Sequence, residues 1–295
     1  MNTIHYVVRT LPIIFFVFLS AIFSRLQAQP FYLGVNVGGV NYQGELQGLS
    51  FSFTGMHIST GVGGMYEIDN NLSVMAEFSK GYLSGRDAQL SGNSNNVARN
   101  LSFDTDLWEV SMVGRFRFYK GEKVPVVPYV FGGGAVFHVD PWARDAVGQR
   151  QKLYPLSTEG QGIPGYGNVP LHRNTRFSVP FGGGIECMLG KHFRLDVEAM
   201  FRKSFTDHLD DVSTQYPDAQ LLLRERGAKA VELSYRGDDV PGGSQTFPAK
   251  GTQRGNPLRD DWYHSLNVRL RMGLYDFRKE TIRRKGEKKF ECWKP

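Results

Sequence analysis

The sequence is poor in cysteine, with only Cys187 and Cys292 among its 295 residues. Two cysteines so far apart match neither a zinc knuckle nor a small secreted domain held by disulfides. The sequence also lacks a basic face interleaved with aromatic residues, although its formal net charge is +6. Because nucleic-acid binding proteins present such a face, we predict no nucleic-acid partner.

Long apolar runs are also scarce. The one near the N terminus, residues 11–23, follows Arg9 and precedes the small-residue site at Ala28. This pattern predicts a cleaved signal peptide over residues 1–28. The alternative is an uncleaved anchor, but a spanning helix needs about 20 apolar residues. No later segment is apolar enough for such a helix, so membrane insertion would have to use strands.

Alternation of apolar and polar residues is abundant. The first half of residues 193–213, FRLDVEAMFRKSFTDHLDDVS, alternates. Phe193, Leu195 and Val197 fall on one face, opposite Arg194 and Asp196. A period of two predicts a β-strand. Eight segments share the pattern: residues 31–42, 56–68, 72–83, a strand ending at 118, 126–139, 176–189, a strand starting at 193, and 262–275.

The apolar faces are large and aromatic, and the chain carries an export signal. We therefore expect the apolar faces to contact lipid and the charged faces to line a lumen. Under this rule the apolar set of the fifth strand, which includes Val127, Tyr129, Phe131 and Phe137, faces lipid.

The connections alternate between short turns and long loops, as in outer-membrane barrels, whereas a soluble sandwich gives no reason for this alternation. The sequence thus predicts an all-β fold: an eight-stranded antiparallel transmembrane β-barrel over residues 29–275 with long extracellular loops. A basic periplasmic tail follows over residues 276–295.

An eight-stranded barrel is only wide enough to hold its own side chains. Unpaired buried charges are costly, so we expect the inward charges to pair and fill the lumen. A selective pore is the alternative. The predicted lumen charge network consists of Glu77, Glu109, Arg115, Arg117, Glu186, Arg194, Asp196, Glu198, Arg202, Arg269 and Arg271.

Two glycine runs, residues 132–134 and 182–184, are candidates for phosphate-binding loops. Such loops need a following helix N-terminus, and here strands continue. We interpret the glycines as places where the sheet bends or backbones approach closely. Pro128 and Pro180 cannot donate ladder hydrogen bonds and are expected at strand ends or bulges.

The strongest candidates for chemistry are Asp207, His208, Asp210 and Asp211. Carboxylates beside a histidine could bind Ca²⁺ or activate water. The alternative is a turn in which aspartates accept backbone N–H groups. No spacing completes a catalytic triad, so we predict that the chain is not an enzyme. Residues 218–236 have a helical composition that Gly227 interrupts. This composition predicts either a short helix that packs over the barrel mouth or a helix on the outer face that binds a partner.

The tail after the last predicted strand is basic. We hypothesise that Cys292 forms an intermolecular bond to a periplasmic partner, the alternative being a reduced thiol. Cys187 falls on the lipid-facing register of its strand, so an internal bridge is not expected. The predicted partner-binding residues are Arg283, Arg284, Lys285, Lys288, Lys289 and Cys292.

Five segments in order resemble the PorG family of small outer-membrane barrels of the type IX secretion system. They are residues 42–46, 155–162, 205–213, 254–256 and 261–263. The resemblance implies no enzymatic activity, no cofactor and no small-molecule substrate, a place in the cell outer membrane, and association with a periplasmic ring of the PorK and PorN type. The alternative is a small porin or ligand-binding barrel unrelated to secretion.

Overall fold

The structure is a computed structural model. It describes residues 31–47, 52, 55–89, 98–119, 126–164, 166, 171, 173–190 and 192–274. The predicted signal peptide, the basic tail with Cys292, and the predicted turn at residues 120–123 lie outside the described residues. Within the described ranges, no helix is both long and apolar enough to cross a membrane.

Eight long strands form the barrel. They are β1 (Phe31–Gln43), β2 (His57–Glu67), β3 (Leu72–Arg86), β4 (Ser102–Arg117), β5 (Val126–Val139), β8 (Thr175–Leu189), β9 (Phe193–Ser204) and β10 (Trp262–Gly273), with the two short strands β6 (Trp142–Arg144) and β7 (Arg150–Lys152) between β5 and β8.

The barrel closes on itself through antiparallel pairs. The order around it is β3-β2-β1-β10-β9-β8-β5-β4, and pairing of β3 with β4 completes the ring. The first and last strands are neighbours, with Tyr32 opposite Gly273 and Gln43 opposite Trp262. The predicted eight-stranded antiparallel barrel is confirmed.

The connections segregate by length to the two ends of the barrel. At one end the turns are tight. The Asp69 carboxylate accepts hydrogen bonds from the N–H groups of Asn71 and Leu72 at 2.7 and 2.8 Å, and Gly190 adopts a φ of +75°. At the other end, here called the mouth, long loops follow β1, β3, β5 and β9.

The mouth loops carry their own secondary structure. β6 and β7 form a hairpin, and Trp142 also pairs with Asp104 of β4, which extends the barrel wall. Gly227, with a φ of +86°, separates two helices, which confirms the predicted break. The helices are α1 (Leu153–Leu156), α2 (Ala219–Arg226) and α3 (Ala228–Ser234).

The outer wall is an apolar band. Val35, Ile58 and Met112 have exposed fractions of 56%, 76% and 62%. Their neighbours along each strand alternate inward and are buried. So much contiguous apolar surface marks contact with lipid rather than water.

Strand β5 departs from the rule that apolar faces meet lipid. Val127, Tyr129, Phe131 and Phe137 point inward and are buried, so their predicted lipid-facing position is wrong. Both faces of β5 are apolar, and alternation alone cannot orient such a strand. The Tyr129 hydroxyl donates to Glu198 at 2.9 Å, which gives the inward face its polar contact.

The prolines and glycines of β5 and β8 have separate roles. Pro180 lies within β8 and leaves the register unchanged, which corrects the prediction that it marks a strand end or bulge. The β5–β8 pairs stop at Gly132 opposite Phe181 and resume at Ala135 opposite Ser178. At Gly133, an added Cβ would lie 2.0 Å from the Met112 carbonyl oxygen, so this position needs glycine for close backbone approach.

Candidate functional site

Side chains of opposite charge fill the barrel interior. Six arginines and six carboxylates, the interior network, come from six of the eight wall strands. The network consists of Arg115, Arg117, Arg194, Arg202, Arg269 and Arg271 with Glu67, Glu77, Glu109, Glu186, Asp196 and Glu198.

Glu186 is the centre of the network near the short-turn end. Its carboxylate lies 2.6 Å from Arg115 and 2.5 Å from Arg271. Arg194 and Arg117 approach the other oxygen at 2.7 and 3.3 Å. Four guanidinium groups therefore share one fully buried carboxylate. Loss of Glu186 would remove more ion pairs than loss of any other carboxylate described in the network.

Further layers continue towards the mouth. Arg269 binds Glu77 at 2.8 Å and Glu198 at 2.7 Å. Above them, Arg202 pairs with Glu109 at 2.9 Å. The network brings together all the predicted lumen residues and adds Glu67, which pairs with Arg117 at 2.9 Å.

The network leaves little room for water. The most exposed of its arginine side chains, Arg194, has an exposed fraction of 19%. Nearer the mouth, an apolar layer that includes Tyr42, Leu83, Phe103 and Leu209 is fully buried. Paired charges and apolar packing thus occupy successive levels of the interior.

A second group of carboxylates lies at the mouth and has a different composition. Glu45 follows β1, Asp207 follows β9 and Asp261 precedes β10. These three strands are neighbours in the wall, so their ends bring the three carboxylates together. One oxygen from each lies within 4.8 Å of the others. We call these residues and Asp210 the acidic cluster.

Hydrogen bonds support most of the acidic cluster. The Tyr42 hydroxyl contacts Asp210 at 2.5 Å and Asp261 at 3.2 Å. The N–H of Leu209 donates to Asp261 at 2.9 Å, and the N–H of Asn256 donates to Glu45 at 3.2 Å. A hydroxyl has one proton, so Tyr42 cannot donate fully to both aspartates.

Asp207 is the exception within the acidic cluster. It is 7% exposed, and neither of its carboxylate oxygens accepts a hydrogen bond. Burial raises its pKa to about 9 and the charge of Glu45 adds to this rise, while Ser213 opposes it. Burial and neighbouring carboxylates also raise the pKa values of Asp210 and Asp261. The cluster is therefore short of positive charge.

The structure separates the four residues singled out from the sequence. Asp211, with a φ of +63°, accepts a hydrogen bond from the Thr158 hydroxyl at 2.5 Å. Burial raises its pKa to about 7 and lowers the pKa of His208. Asp207 instead lies beside Glu45 and Asp261. Neither Glu45 nor Asp261 was predicted as a site residue from the sequence, although both lie in the segments that resemble the PorG family.

A buried ion pair anchors the mouth loops to one another. Arg254 lies 2.8 Å from Glu159 and also donates to the carbonyl oxygens of Asp211 and Ser234. Glu159 accepts the N–H groups of Ser213 and Thr214 at 2.8 and 2.9 Å. We call the Glu159–Arg254 pair the loop anchor. It joins the loop after β5 to the loop after β9.

The predicted partner-binding residues of the tail cannot be placed, because they lie outside the described residues. Cys187 is a free, half-buried cysteine on the outward register of β8. Its neighbour Glu186 points into the interior network.

The match to a family model agrees with this architecture. Residues 13–219 match the model of the outer membrane protein beta-barrel domain family. No curated protein matches the sequence significantly.

Three solved structures align with most of this chain. Neisserial surface protein A has a TM-score of 0.41 and 10% identity, over 82% of this chain and 96% of that one. Ail of Yersinia pestis, in complex with the heparin analogue sucrose octasulfate, has a TM-score of 0.39 and 9% identity, over 83% and 99%. The N-terminal β-barrel domain of Pseudomonas aeruginosa OprF has a TM-score of 0.33 and 8% identity, over 81% and 96%.

Proposed function

The chain belongs to the outer membrane protein β-barrel domain family, and we propose that it is a non-enzymatic subunit of a type IX protein secretion machine. In this proposal it sits in the outer membrane and anchors, or supports the assembly of, a periplasmic ring of the PorK and PorN type. Its basic tail and Cys292 are the proposed docking elements.

The observation that carries the proposal is the convergence of the five segments that resemble the PorG family. Tyr42 meets Asp210 and Asp261, and Glu159 meets Arg254. Each segment thus contributes to one buried assembly at the mouth, although the segments span residues 42–263 of the sequence. A resemblance carried by residues that contact one another supports a shared structure more strongly than scattered matches do.

The filled interior favours an anchoring role over the alternative of a small porin. Conduction needs a hydrated path, and the interior network and the apolar layer occupy successive levels of the barrel. Opening such a path would separate buried charges from their partners at a large cost. We expect the purified barrel to show no steady conductance in planar bilayers.

The anchoring mechanism follows from the position of the chain end. The last described strand, β10, ends at Gly273 beside Tyr32, at the short-turn end of the barrel. Short turns of outer-membrane barrels face the periplasm. The tail therefore starts on the proposed periplasmic side, where its basic residues would meet a ring complex while the apolar band holds the barrel in lipid.

The test is a pull-down from outer membranes in mild detergent without reductant, read by mass spectrometry. An affinity tag at Ser91 leaves the C terminus free. We expect ring proteins to co-purify with the full chain and to be lost on truncation after Tyr275. The matched variant Cys292→Ser distinguishes attachment through a disulfide from attachment through the basic residues of the tail. If the ring proteins still co-purify with this variant, a disulfide at Cys292 is not what holds them. A folded barrel recovered without ring proteins would contradict the proposed function.

A further inference from the structure

We propose that Glu45, Asp207 and Asp261 bind one divalent cation of the Ca²⁺ class at the mouth of the barrel. The site goes beyond the anchoring function and does not depend on it. Its ligands come from the ends of three adjacent strands, so the bound cation would hold the start of one loop against both ends of another.

The spacing of the carboxylates fits one cation. An oxygen of each residue lies within 4.8 Å of the others. Ca²⁺ binds oxygens at about 2.3–2.6 Å, so ligands on opposite sides of the ion lie about 4.6–5.2 Å apart. The spacing of the three oxygens is therefore compatible with one Ca²⁺ ion.

Asp207 supplies the observation that separates this cluster from an ordinary acidic turn. Its side chain is buried, directed at Glu45 and Asp261, and accepts no hydrogen bond at either oxygen. A buried polar group without a partner is costly, and such groups in native proteins commonly mark an ion or a water. The two free oxygens of Asp207 are suitable ligands.

Nearby positive charge is already committed. Arg99 forms a two-pronged contact with Asp87 at 2.7 and 2.8 Å. Arg254 is held by Glu159 in the loop anchor. Neither guanidinium forms an ion pair with Asp207 or Asp261 within the part of the chain that the structure describes. A cation can provide the charge that these arginines do not.

The ligand chemistry selects the class of metal. All three side chains offer carboxylate oxygen, the preference of hard cations, whereas Zn²⁺ and Cu²⁺ favour nitrogen or sulfur. Ca²⁺ takes six to eight oxygens, and three carboxylates supply up to six. Water would complete the coordination.

The test is titration of CaCl₂ into the full-length chain, freed of metal with a chelator and folded in detergent micelles, followed by calorimetry. We expect one Ca²⁺ per chain with a dissociation constant on the order of 10⁻⁴ M, as in other extracellular sites. Asp207→Asn should weaken binding at least about tenfold, because loss of even a supporting group costs that much. MgCl₂ in place of CaCl₂ tests the choice of ion.

The matched control is Asp260→Asn, which removes the same charge from an exposed residue next to the site. This variant should bind Ca²⁺ like the unaltered chain. Asp207→Asn is not expected to unfold, since no hydrogen bond of normal geometry holds the Asp207 carboxylate. Gel mobility of the unheated barrel checks this. Absence of binding at ~10 mM Ca²⁺, above the weakest extracellular sites, or equal binding by both variants, would overturn the proposal.

Discussion

Buried carboxylates occur in two regions of this barrel, and they are balanced differently. In the interior network every carboxylate has an arginine partner, as with Glu77 and Arg269. In the acidic cluster, Asp207 and Asp261 have none among the described residues. The comparison shows that burial alone does not secure an arginine partner. The wall arginines face the interior carboxylates, whereas the buried arginines described at the mouth, Arg99 and Arg254, are committed to Asp87 and Glu159.

The largest effect should follow from breaking the interior network at its centre. Glu186→Gln leaves Arg115, Arg117, Arg194 and Arg271 without their shared carboxylate. Breaking one buried pair costs about 3–5 kcal/mol, and we expect at least the upper value here. The free energy of unfolding in denaturant, read from gel mobility of the folded barrel, measures the loss.

A surface pair provides the control for that variant. Glu225 meets Arg224 on the exposed side of α2, and Glu225→Gln should change stability by less than about 1 kcal/mol. Equal stability of the two variants would show that the interior pairs contribute no more than surface pairs do.

A smaller and more local effect is expected at the loop anchor. Glu159→Gln removes the charge opposite a single buried arginine, Arg254, at a cost of about 3 kcal/mol. The barrel wall does not depend on this pair, so we expect the mouth loops to become sensitive to protease while the wall stays protected. Limited proteolysis with mass spectrometry would show it, and cuts within β8 or β9 would contradict it.

The loop anchor should also respond to acid. Burial alone would raise the pKa of Glu159, but Arg254 and hydrogen bonds from Ser213 and Thr214 hold it below the ordinary value. A depressed pKa gives stability that is full above the unfolded value of about 4.3 and is lost as pH falls through the folded value. Acidification below about pH 4 should therefore bring the protease sensitivity of the unaltered chain towards that of Glu159→Gln.

The smallest effect is expected within the acidic cluster. Tyr42→Phe removes the hydroxyl that Asp210 and Asp261 share, which costs about 1–3 kcal/mol for a buried acceptor left unpaired. Tyr119→Phe, at a 59% exposed position, is the control. Thermal unfolding in chelator compares the two, and equal midpoints would indicate that the hydroxyl does not stabilise the cluster.

The barrel could be predicted from sequence because its wall depends on a local rule. Alternation identified all eight strands, and β5 was bounded without error. The rule failed for the orientation of β5, where both faces are apolar. The register with β4 settles the orientation, because it sets Tyr129 opposite Arg117 and Phe131 opposite Arg115, whose side chains point inward.

The acidic cluster was harder to predict because it is assembled from distant segments. Asp207 stood out beside His208, Asp210 and Asp211, yet its neighbours in space, Glu45 and Asp261, follow from which strands are adjacent. Sequence proximity favoured Asp211, which the backbone turns towards Thr158. The alternation within a strand gives no information on which residues meet at the ends of different strands. The proximity of Glu45, Asp207 and Asp261 follows only once the order of the strands around the barrel is known.

The pairing of β1 with β10 also constrains how the protein folds. The ring closes only when residues at opposite ends of the sequence, such as Tyr32 and Gly273, come together. Contacts of such long sequence separation make folding slow. Until the last strand arrives, two strand edges and the apolar outer face stay open to association with other chains. We therefore expect the unclosed barrel to be prone to aggregation until its whole length is available, and to close and insert as a unit.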